Sequence, residues 1–273
     1  MTITVGNTDL QTLLDLTQRK QYVNGKAQNQ VVACVLRLAG ETLSTTSIVR
    51  DGKTSVAQFA VHGIGEEEGI PIPDIDRLLG VLKMHGKKVN LQPLDGKIRV
   101  WSGKKQTTLA ANFNGLAYPH SRDTIGEWET KSLERAAQIT AKGYQMMDGK
   151  TRVAFDEITI DADILFEALR CDNINGQRLN RYSFERTSDG SLWLTVGDDL
   201  KGQTRTQLEH GDLPDGETTE GWESTFEGGL ENVMKHYGSE PVKLLFYDFS
   251  PEGQGIRLSL HIADNFVFQA GVL

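Results

Sequence analysis

The chain has 273 residues, of which 38% are hydrophobic and 24% are charged, so it is long enough for two domains with separate cores. Its formal net charge of −8 disfavours nonspecific binding of nucleic acid by the molecule as a whole, although a basic patch on one face remains possible. No apolar run reaches the ~20 residues of a membrane-spanning helix, and no basic segment precedes an apolar stretch at the start, so we expect a cytoplasmic protein that binds no membrane.

The first segments of the chain predict a helix followed by strands. Within residues 7–20, three leucines at helical spacing form an apolar stripe, with Asn7 or Thr8 as a possible cap. Runs rich in valine and threonine then predict three strands, which are Val31–Leu38, Thr42–Val49 and Ser55–His62. The acidic, glycine-containing stretch Gly63–Gly69 is predicted to be a loop.

Residues 70–102 predict a helix and a hairpin as one unit. Asp74 follows Pro73 and can cap a helix that ends near Gly86. The predicted apolar stripe of this helix follows the i, i+3, i+4, i+7 spacing and consists of Ile75, Leu78, Leu79 and Leu82. Asp95-Gly96 between two strand-like runs predicts a tight hairpin turn.

The second half repeats this pattern. Asp161 precedes a predicted helix with an apolar stripe at Ile164, Leu165, Ala168 and Leu169, and a hairpin is predicted around Ser188-Asp189-Gly190. A further helix over Gly229–Tyr237 precedes three closing strands. We therefore predict an α+β fold made of duplicated units, in which short helices pack on antiparallel sheets.

The pattern lapses between the two halves, where one exposed helix is plausible. The predicted organisation is a first domain over residues 1–117, a partly helical linker over 118–150 and a second domain over 151–273. Cys34 and Cys171 are far apart in apolar surroundings, and we expect free thiols rather than a disulfide.

Residues for catalysis or metal binding do not cluster in this sequence. The six histidines are scattered, and no pair has the spacing of metal ligands. Asp161 and Asp163 open a helix, where acidic residues are common for structural reasons. No phosphate-binding glycine loop or nucleophile motif is present, so we expect no enzyme activity, no metal and no cofactor.

Basic residues recur opposite the apolar stripes of the predicted helices. Each of the four helices has one, at Arg19, Arg77, Arg170 and Lys235. Others follow nearby, at Lys20, Lys83, Lys87, Lys88, Arg178 and His236. An amphipathic helix normally has a charged outer face, and acidic residues share these faces, so the pattern alone does not decide between solvent and a nucleic acid.

Four stretches of the sequence resemble the DNA sliding clamps, in particular the two-domain type found in T-even bacteriophages and in proliferating cell nuclear antigen. They are IPDIDRLLGVLK, VNLQPLDGKIRVWSG, TIDADILFEALR and the C-terminal PVKLLFYDFSPEGQGIRLSLHIADNFVFQAGVL. The chain departs from that family over residues 115–150, which exceed a usual interdomain connector, and it stops without an acidic tail.

The resemblance implies a non-enzymatic processivity factor, phage-encoded and present in the cytoplasm of an infected cell. It implies a homotrimeric ring around double-stranded DNA, with the ten basic residues named above facing the duplex. It also implies a clamp loader and a DNA polymerase as partners, and a peptide-binding pocket near Tyr118, Ile125, Val272 and Leu273.

Two other functions stay open at this point. A clamp-like, β-rich structural or virion protein that never encircles DNA would have an acidic inner surface. An enzyme whose site is shared between subunits would show a deep pocket with converging carboxylates.

Overall fold

The computed structural model describes residues 2–23, 26–50, 54–66, 68–111, 122–170, 181–198, 202–213 and 217–272. Its α-helices are α1 (Asn7–Gln18), α2 (Ile75–Leu82), α3 (Arg122–Ala137), α4 (Ala162–Arg170) and α5 (Leu230–Met234). The strands before α3 are β1 (Ile3–Gly6), β2 (Lys20–Val23), β3 (Lys26–Asn29), β4 (Cys34–Ala39), β5 (Thr42–Arg50), β6 (Thr54–Gly65), β7 (Glu68–Ile72), β8 (Lys88–Leu94), β9 (Lys97–Ser102) and β10 (Lys105–Ala110). The later strands are β11 (Ile139–Thr140), β12 (Gly143–Gln145), β13 (Thr151–Arg152), β14 (Asp156–Asp161), β15 (Arg181–Arg186), β16 (Leu192–Asp198), β17 (Gly202–Glu209), β18 (Trp222–Glu227), β19 (Pro241–Asp248), β20 (Ile256–Ile262) and β21 (Asn265–Ala270).

The chain forms two compact units. The first comprises residues 1–18, 31–49 and 56–138, and the second comprises 19–30, 50–55 and 139–273. The change from one unit to the other at residue 139 falls inside the predicted linker over 118–150.

The first unit contains one antiparallel sheet with the strand order β10-β9-β8-β1-β6-β5-β4-β7. In the second unit, one sheet has the order β17-β16-β15-β18 and another contains β14-β19-β20-β21. Both units follow the same order along the chain: one strand, a helix, four strands, a second helix and three strands. The hairpin β2–β3 and the small sheet β11-β12-β13 lie outside this repeat. The α+β fold with duplicated units is therefore confirmed.

Helices α1 and α2 pack as a pair that is fixed by polar contacts at both ends. At the start of α1, the Asn7 side-chain amide donates to the carbonyl oxygens of Leu82, His85 and Gly86, at 2.9, 3.2 and 3.0 Å. At its other end, Gln18 Nε2 donates to Asp76 Oδ1 at 2.7 Å. These contacts join the start of each helix to the end of the other, so the two helices run antiparallel. Helices α4 and α5 form the corresponding pair in the second unit.

Several local predictions agree with the structure. Asp74 caps α2, since its Oδ1 accepts from the backbone N–H of Arg77 at 2.8 Å. Gly96 and Gly190 adopt φ values of 61° and 84° in the turns β8–β9 and β15–β16, which a residue with a side chain rarely adopts. Cys34 is a buried free thiol, whereas Cys171 lies outside the described residues.

Other predictions need correction. The buried face of α2 is formed by Ile75, Leu78, Val81 and Leu82, whereas Leu79 is only half-buried, so the predicted stripe was wrong at Leu79. In α4, Ile164 is 48% exposed and Ala162 takes its place in the core. Helix α2 ends at Leu82 rather than near Gly86, because the backbone N–H groups of Met84 and His85 donate to the carbonyl oxygens three positions earlier, at Val81 and Leu82, and so leave the α-helical pattern.

The predicted loop over Gly63–Gly69 was also wrong. Strand β6 continues to Gly65 and β7 begins at Glu68, so most of this stretch is sheet. Strands β1, β2, β3 and β18 were not predicted because they are short or polar, and a sequence pattern is weak over four to six residues.

Candidate nucleic-acid interface

Helix α1 offers no positive charge, because Asn7–Gln18 contains no lysine or arginine. Its exposed and half-buried polar side chains include Asp9 and Asp15. Arg19, predicted to face DNA, is only 6% exposed. Helix α1 ends at Gln18, one residue before Arg19, and Arg19 itself has a φ of 43°. The helical spacing that predicted an outward-facing Arg19 therefore does not apply to it. The prediction that Arg19 is available to a phosphate was therefore wrong.

Several exposed positive charges of the first unit lie on α2 and in the segment that follows it. Arg77 is exposed on the helix, and Lys83 is exposed directly after it. Asp76 lies beside Arg77, but its carboxylate accepts a hydrogen bond from Gln18. Lys87 and Lys88 follow where the chain enters β8, and both are exposed.

Two further exposed lysines, Lys104 and Lys105, adjoin this region from the β9–β10 turn. His85 connects the two segments, since Nδ1 lies 3.0 Å from Ser102 Oγ and Nε2 lies 3.1 Å from Thr107 Oγ1. Ser102 Oγ also accepts from the backbone N–H of Gly86 at 3.0 Å. We name the resulting group the lysine patch; its members are Lys83, Lys87, Lys88, Lys104 and Lys105.

Sequence reasoning missed two of these five lysines. The signal was present in a repeat, because His-Gly-Lys-Lys at 85–88 and Ser-Gly-Lys-Lys at 102–105 both carry Gly-Lys-Lys. The side chains of the first residues of these two segments, His85 and Ser102, contact each other. Burial, and next to it the positive charge of Lys105, lowers the pKa of His85.

In the second unit the exposed charges are mixed. On α4, Arg170 pairs with Glu167 at 3.1 Å, and Asp163 is exposed on the same helix. Directly after α5, Lys235 is exposed and His236 is half-buried.

The β2–β3 hairpin adds one more predicted residue to the α5 region. Asn232 Nδ2 donates to the carbonyl oxygen of Lys20 at 2.9 Å, and Lys20 is half-buried. A side chain at Gly229 would collide with this oxygen, because its Cβ would lie 1.8 Å away. The structure thus brings Lys20 close to α5, whereas Arg178 lies outside the described residues.

The four residues predicted for a partner-peptide pocket are only partly described. Tyr118 and Leu273 lie outside the described residues, and Ile125 belongs to α3 without a described side chain. Val272 is half-buried, and its backbone N–H donates to the carbonyl oxygen of Thr225 at 2.7 Å. This bond ties the end of the chain to β18.

The described part of the chain holds neither a cluster of metal ligands nor a membrane-spanning helix. Over the ranges given above, no group of three or more His, Cys, Asp or Glu residues could hold a metal ion. Among the same residues, no helix is long and apolar enough to cross a membrane.

Comparison with known proteins found similar solved structures but no similar sequence. No protein-family model and no curated protein matches the chain. A DNA polymerase sliding clamp from Pseudomonas aeruginosa matches 100% of this chain and 67% of its own, with a TM-score of 0.62 and 16% identity. A. fulgidus PCNA, solved with the C-terminal region of FEN-1 bound, matches 100% of this chain with a TM-score of 0.57 and 14% identity. The chain has the fold of the DNA sliding clamps.

The bacterial clamps and A. fulgidus PCNA differ in the share of their own length that this chain covers. The chain covers 98% of A. fulgidus PCNA but only 65% of a DNA polymerase III beta subunit from Eubacterium rectale, which matches with a TM-score of 0.61 and 10% identity. It thus spans about two thirds of the length of the bacterial clamps.

Proposed function

We propose that this protein is a DNA sliding clamp, a ring that encircles duplex DNA and tethers replication proteins without catalysing a reaction itself. The observation that carries this proposal is the repeat of one strand, a helix, four strands, a second helix and three strands in both units. The same fold, over the whole chain, is that of proteins described as sliding clamps.

We propose a homotrimer as the assembled form. The chain accounts for nearly the full length of A. fulgidus PCNA, which supports a two-unit subunit of that type. Within the described residues, β10 and β17 each pair with a strand on one side only, so no strand pairs with the backbone groups along the other edge of either. Pairing of β10 in one copy with β17 in the next would satisfy these groups and close a ring. Light scattering on the purified protein should give three times the chain mass, and a stable monomer would contradict the homotrimer.

Contact with DNA is proposed to run through phosphates rather than bases. The lysine patch and the exposed Arg77, Arg170 and Lys235 supply separate positive charges, and exposed lysines hold phosphates without reading sequence. Half-buried Lys20 and His236 would add to the second unit, and Arg178 remains a prediction. Contacts of this kind are weak and permit sliding.

The lysine patch can be tested against a control of equal charge. Reversal of Lys87, Lys88, Lys104 and Lys105 to glutamate should reduce loading on nicked circular DNA at least about tenfold, because the patch would repel phosphates. The control reverses four lysines that lie exposed elsewhere, at Lys26, Lys97, Lys131 and Lys142. Since both variants change net charge equally, equal loss of loading would show that only overall charge matters.

The proposed partners are a DNA polymerase and a clamp loader, and we propose a phage origin with function in the host cytoplasm. A partner peptide would bind near Tyr118, Ile125, Val272 and Leu273. Deletion of Val272 and Leu273 should abolish polymerase stimulation while the ring stays intact. If the ring dissociates instead, these residues close the second unit, as the bond from Val272 to Thr225 would also explain.

A structural or virion protein with the same fold is the second candidate. It is favoured by the acidic residues that share the helix faces, in particular Asp9 on α1 and Asp163 and Glu167 on α4. Such a protein should assemble normally yet show no retention on circular DNA. A sliding clamp should show both properties.

A further inference from the structure

An exposed apolar surface lies on the second unit, where the chain enters β14. Val153 and Phe155 are 69% and 46% exposed, and the intervening residue is less exposed, so the two side chains share one side of the extended chain. The Phe155 ring meets the indole of Trp222 edge-on, with centroids 5.5 Å apart. We name Val153, Phe155 and Trp222 the Phe155 surface.

Contacts with buried residues fix the position of the Trp222 indole in the Phe155 surface. Trp222 Nε1 donates to Asp156 Oδ2 at 2.7 Å, and the indole packs on the buried ring of Phe246 with centroids 4.5 Å apart. The Arg186 guanidinium in turn holds Asp156 through two hydrogen bonds, of 2.8 and 2.6 Å. A rigid aromatic platform loses little conformational entropy on binding, which is typical of residues that anchor protein contacts.

The sequence on both sides of Trp222 is rich in acidic residues. Between Arg205 and Lys235 the sequence has no lysine or arginine, and it contains eight acidic residues. Glu217 and Glu220 are exposed on the loop before Trp222, and this loop is tied to the β15–β16 turn by the N–H of Thr219, which donates to the carbonyl oxygen of Ser188 at 3.0 Å. Arg186 leaves no net positive charge here, because its single positive charge pairs with two carboxylates, Asp156 and Glu209.

We propose that the Phe155 surface docks a segment of a partner protein in which an aromatic or aliphatic anchor is flanked by lysine or arginine. The apolar anchor would cover Phe155 and Val153, which water otherwise contacts, and the basic residues would meet Glu217 and Glu220. Acidic or uncharged segments are disfavoured, since like charge would oppose the first and nothing would steer the second. The inference depends on neither ring closure nor DNA binding, so it can fail or hold separately from the proposed function.

The test uses three synthetic 12-residue peptides with the full-length protein. One alternates lysine with leucine, the second has glutamate in place of lysine, and the third has serine in place of leucine. Fluorescence anisotropy of labelled peptides should show binding of the first alone. Phe155→Ser should weaken binding of the lysine–leucine peptide about tenfold, because one anchor residue is lost. Joint reversal of Glu217 and Glu220 to lysine should weaken the same binding several-fold.

Two control variants have matched chemistry elsewhere. Ile164→Ser removes an apolar side chain that is 48% exposed on α4, and joint reversal of Glu41 and Glu66 to lysine changes two exposed acidic residues of the first unit. Both should bind the lysine–leucine peptide within twofold of the unaltered protein. Equal weakening by the controls, or no binding of this peptide at all, would overturn the proposal. A molar mass that falls in Phe155→Ser would also overturn it, because the occupant would then be a second copy of the chain.

Discussion

His261 is a half-buried histidine on β20 whose charged form is disfavoured. Burial, and next to it the charge of Lys243, lowers its pKa to about 4. Its Nε2 lies 2.7 Å from Ser259 Oγ, its ring packs near Phe266, and Lys243 pairs with Glu157 at 2.9 Å. The site therefore favours neutral imidazole.

This environment predicts loss of stability in acid. The unfolded histidine has a pKa of about 6.5, so between that pH and about 4 the unfolded state binds the additional proton. The contribution of His261 is complete above about pH 6.5 and falls, by at most about 3 kcal/mol, as the pH approaches 4. Urea unfolding of His261→Gln should show a smaller loss between pH 7 and 4.5 than the unaltered protein. His210→Gln, at an exposed site, should keep the full loss, and equal pH dependence in both variants would contradict this account.

Arg186 and Arg205 permit a comparison between a buried and an exposed ion pair. Arg186 is 11% exposed in its side chain, and its removal leaves Asp156, 15% exposed, without its charged partner. Arg186→Met should therefore cost about 3–5 kcal/mol of unfolding free energy. Arg205→Met should cost about 1 kcal/mol or less, because its pair with Glu185 is exposed. Thermal unfolding measures both, and similar losses would show that burial of the Arg186 pair has little energetic effect.

Helix α2 provides a test of which residues face the core. Leu78 is 1% exposed, so Leu78→Ala should cost about 2–5 kcal/mol through the cavity it leaves. Leu79→Ala, at a half-buried site, should cost clearly less unfolding free energy than Leu78→Ala. Arg77→Ala, at an exposed site, should change it by about 0.5 kcal/mol or less. Chemical unfolding of the three variants gives the order directly. A larger loss at Leu79 than at Leu78 would contradict the orientation of this helix.

The helices and hairpins with strong local signals could be predicted from the sequence. Asp74 could be predicted as a cap because its carboxylate can accept a hydrogen bond from the first turn of the helix, and Asp95-Gly96 permits the left-handed turn of a hairpin. Leu79 and Val81 were confused because a short helix contacts its neighbours over a limited arc, and the spacing alone does not fix where this arc begins.

The lysine patch and the buried Arg19 show why the candidate site was harder to predict. Lys104 and Lys105 join Lys87 and Lys88 only because the β9–β10 turn packs beside the end of α2, which is a tertiary contact. Arg19 was placed by helical spacing, but the helix stops before it. Pairing of strands distant in sequence, such as β1 with β6 and β8, likewise depends on the whole fold.

The whole molecule combines a clamp fold with an overall charge of −8 and a local lysine patch. The proposed ring would hold DNA by enclosure, with only a few phosphates neutralised at a time. Direct binding should therefore be weak and should decrease steeply with salt, whereas enclosure should not. This difference separates a sliding clamp from an ordinary electrostatic DNA-binding protein.

The most direct test of the central proposal compares retention of the protein on nicked circular DNA and on the same DNA cut once. The protein is loaded first, with a clamp loader if loading requires one, and both samples are then washed at moderate salt. A closed ring should remain on the circle and run off the ends of the linear DNA. Equal retention on the two forms would contradict the sliding-clamp account.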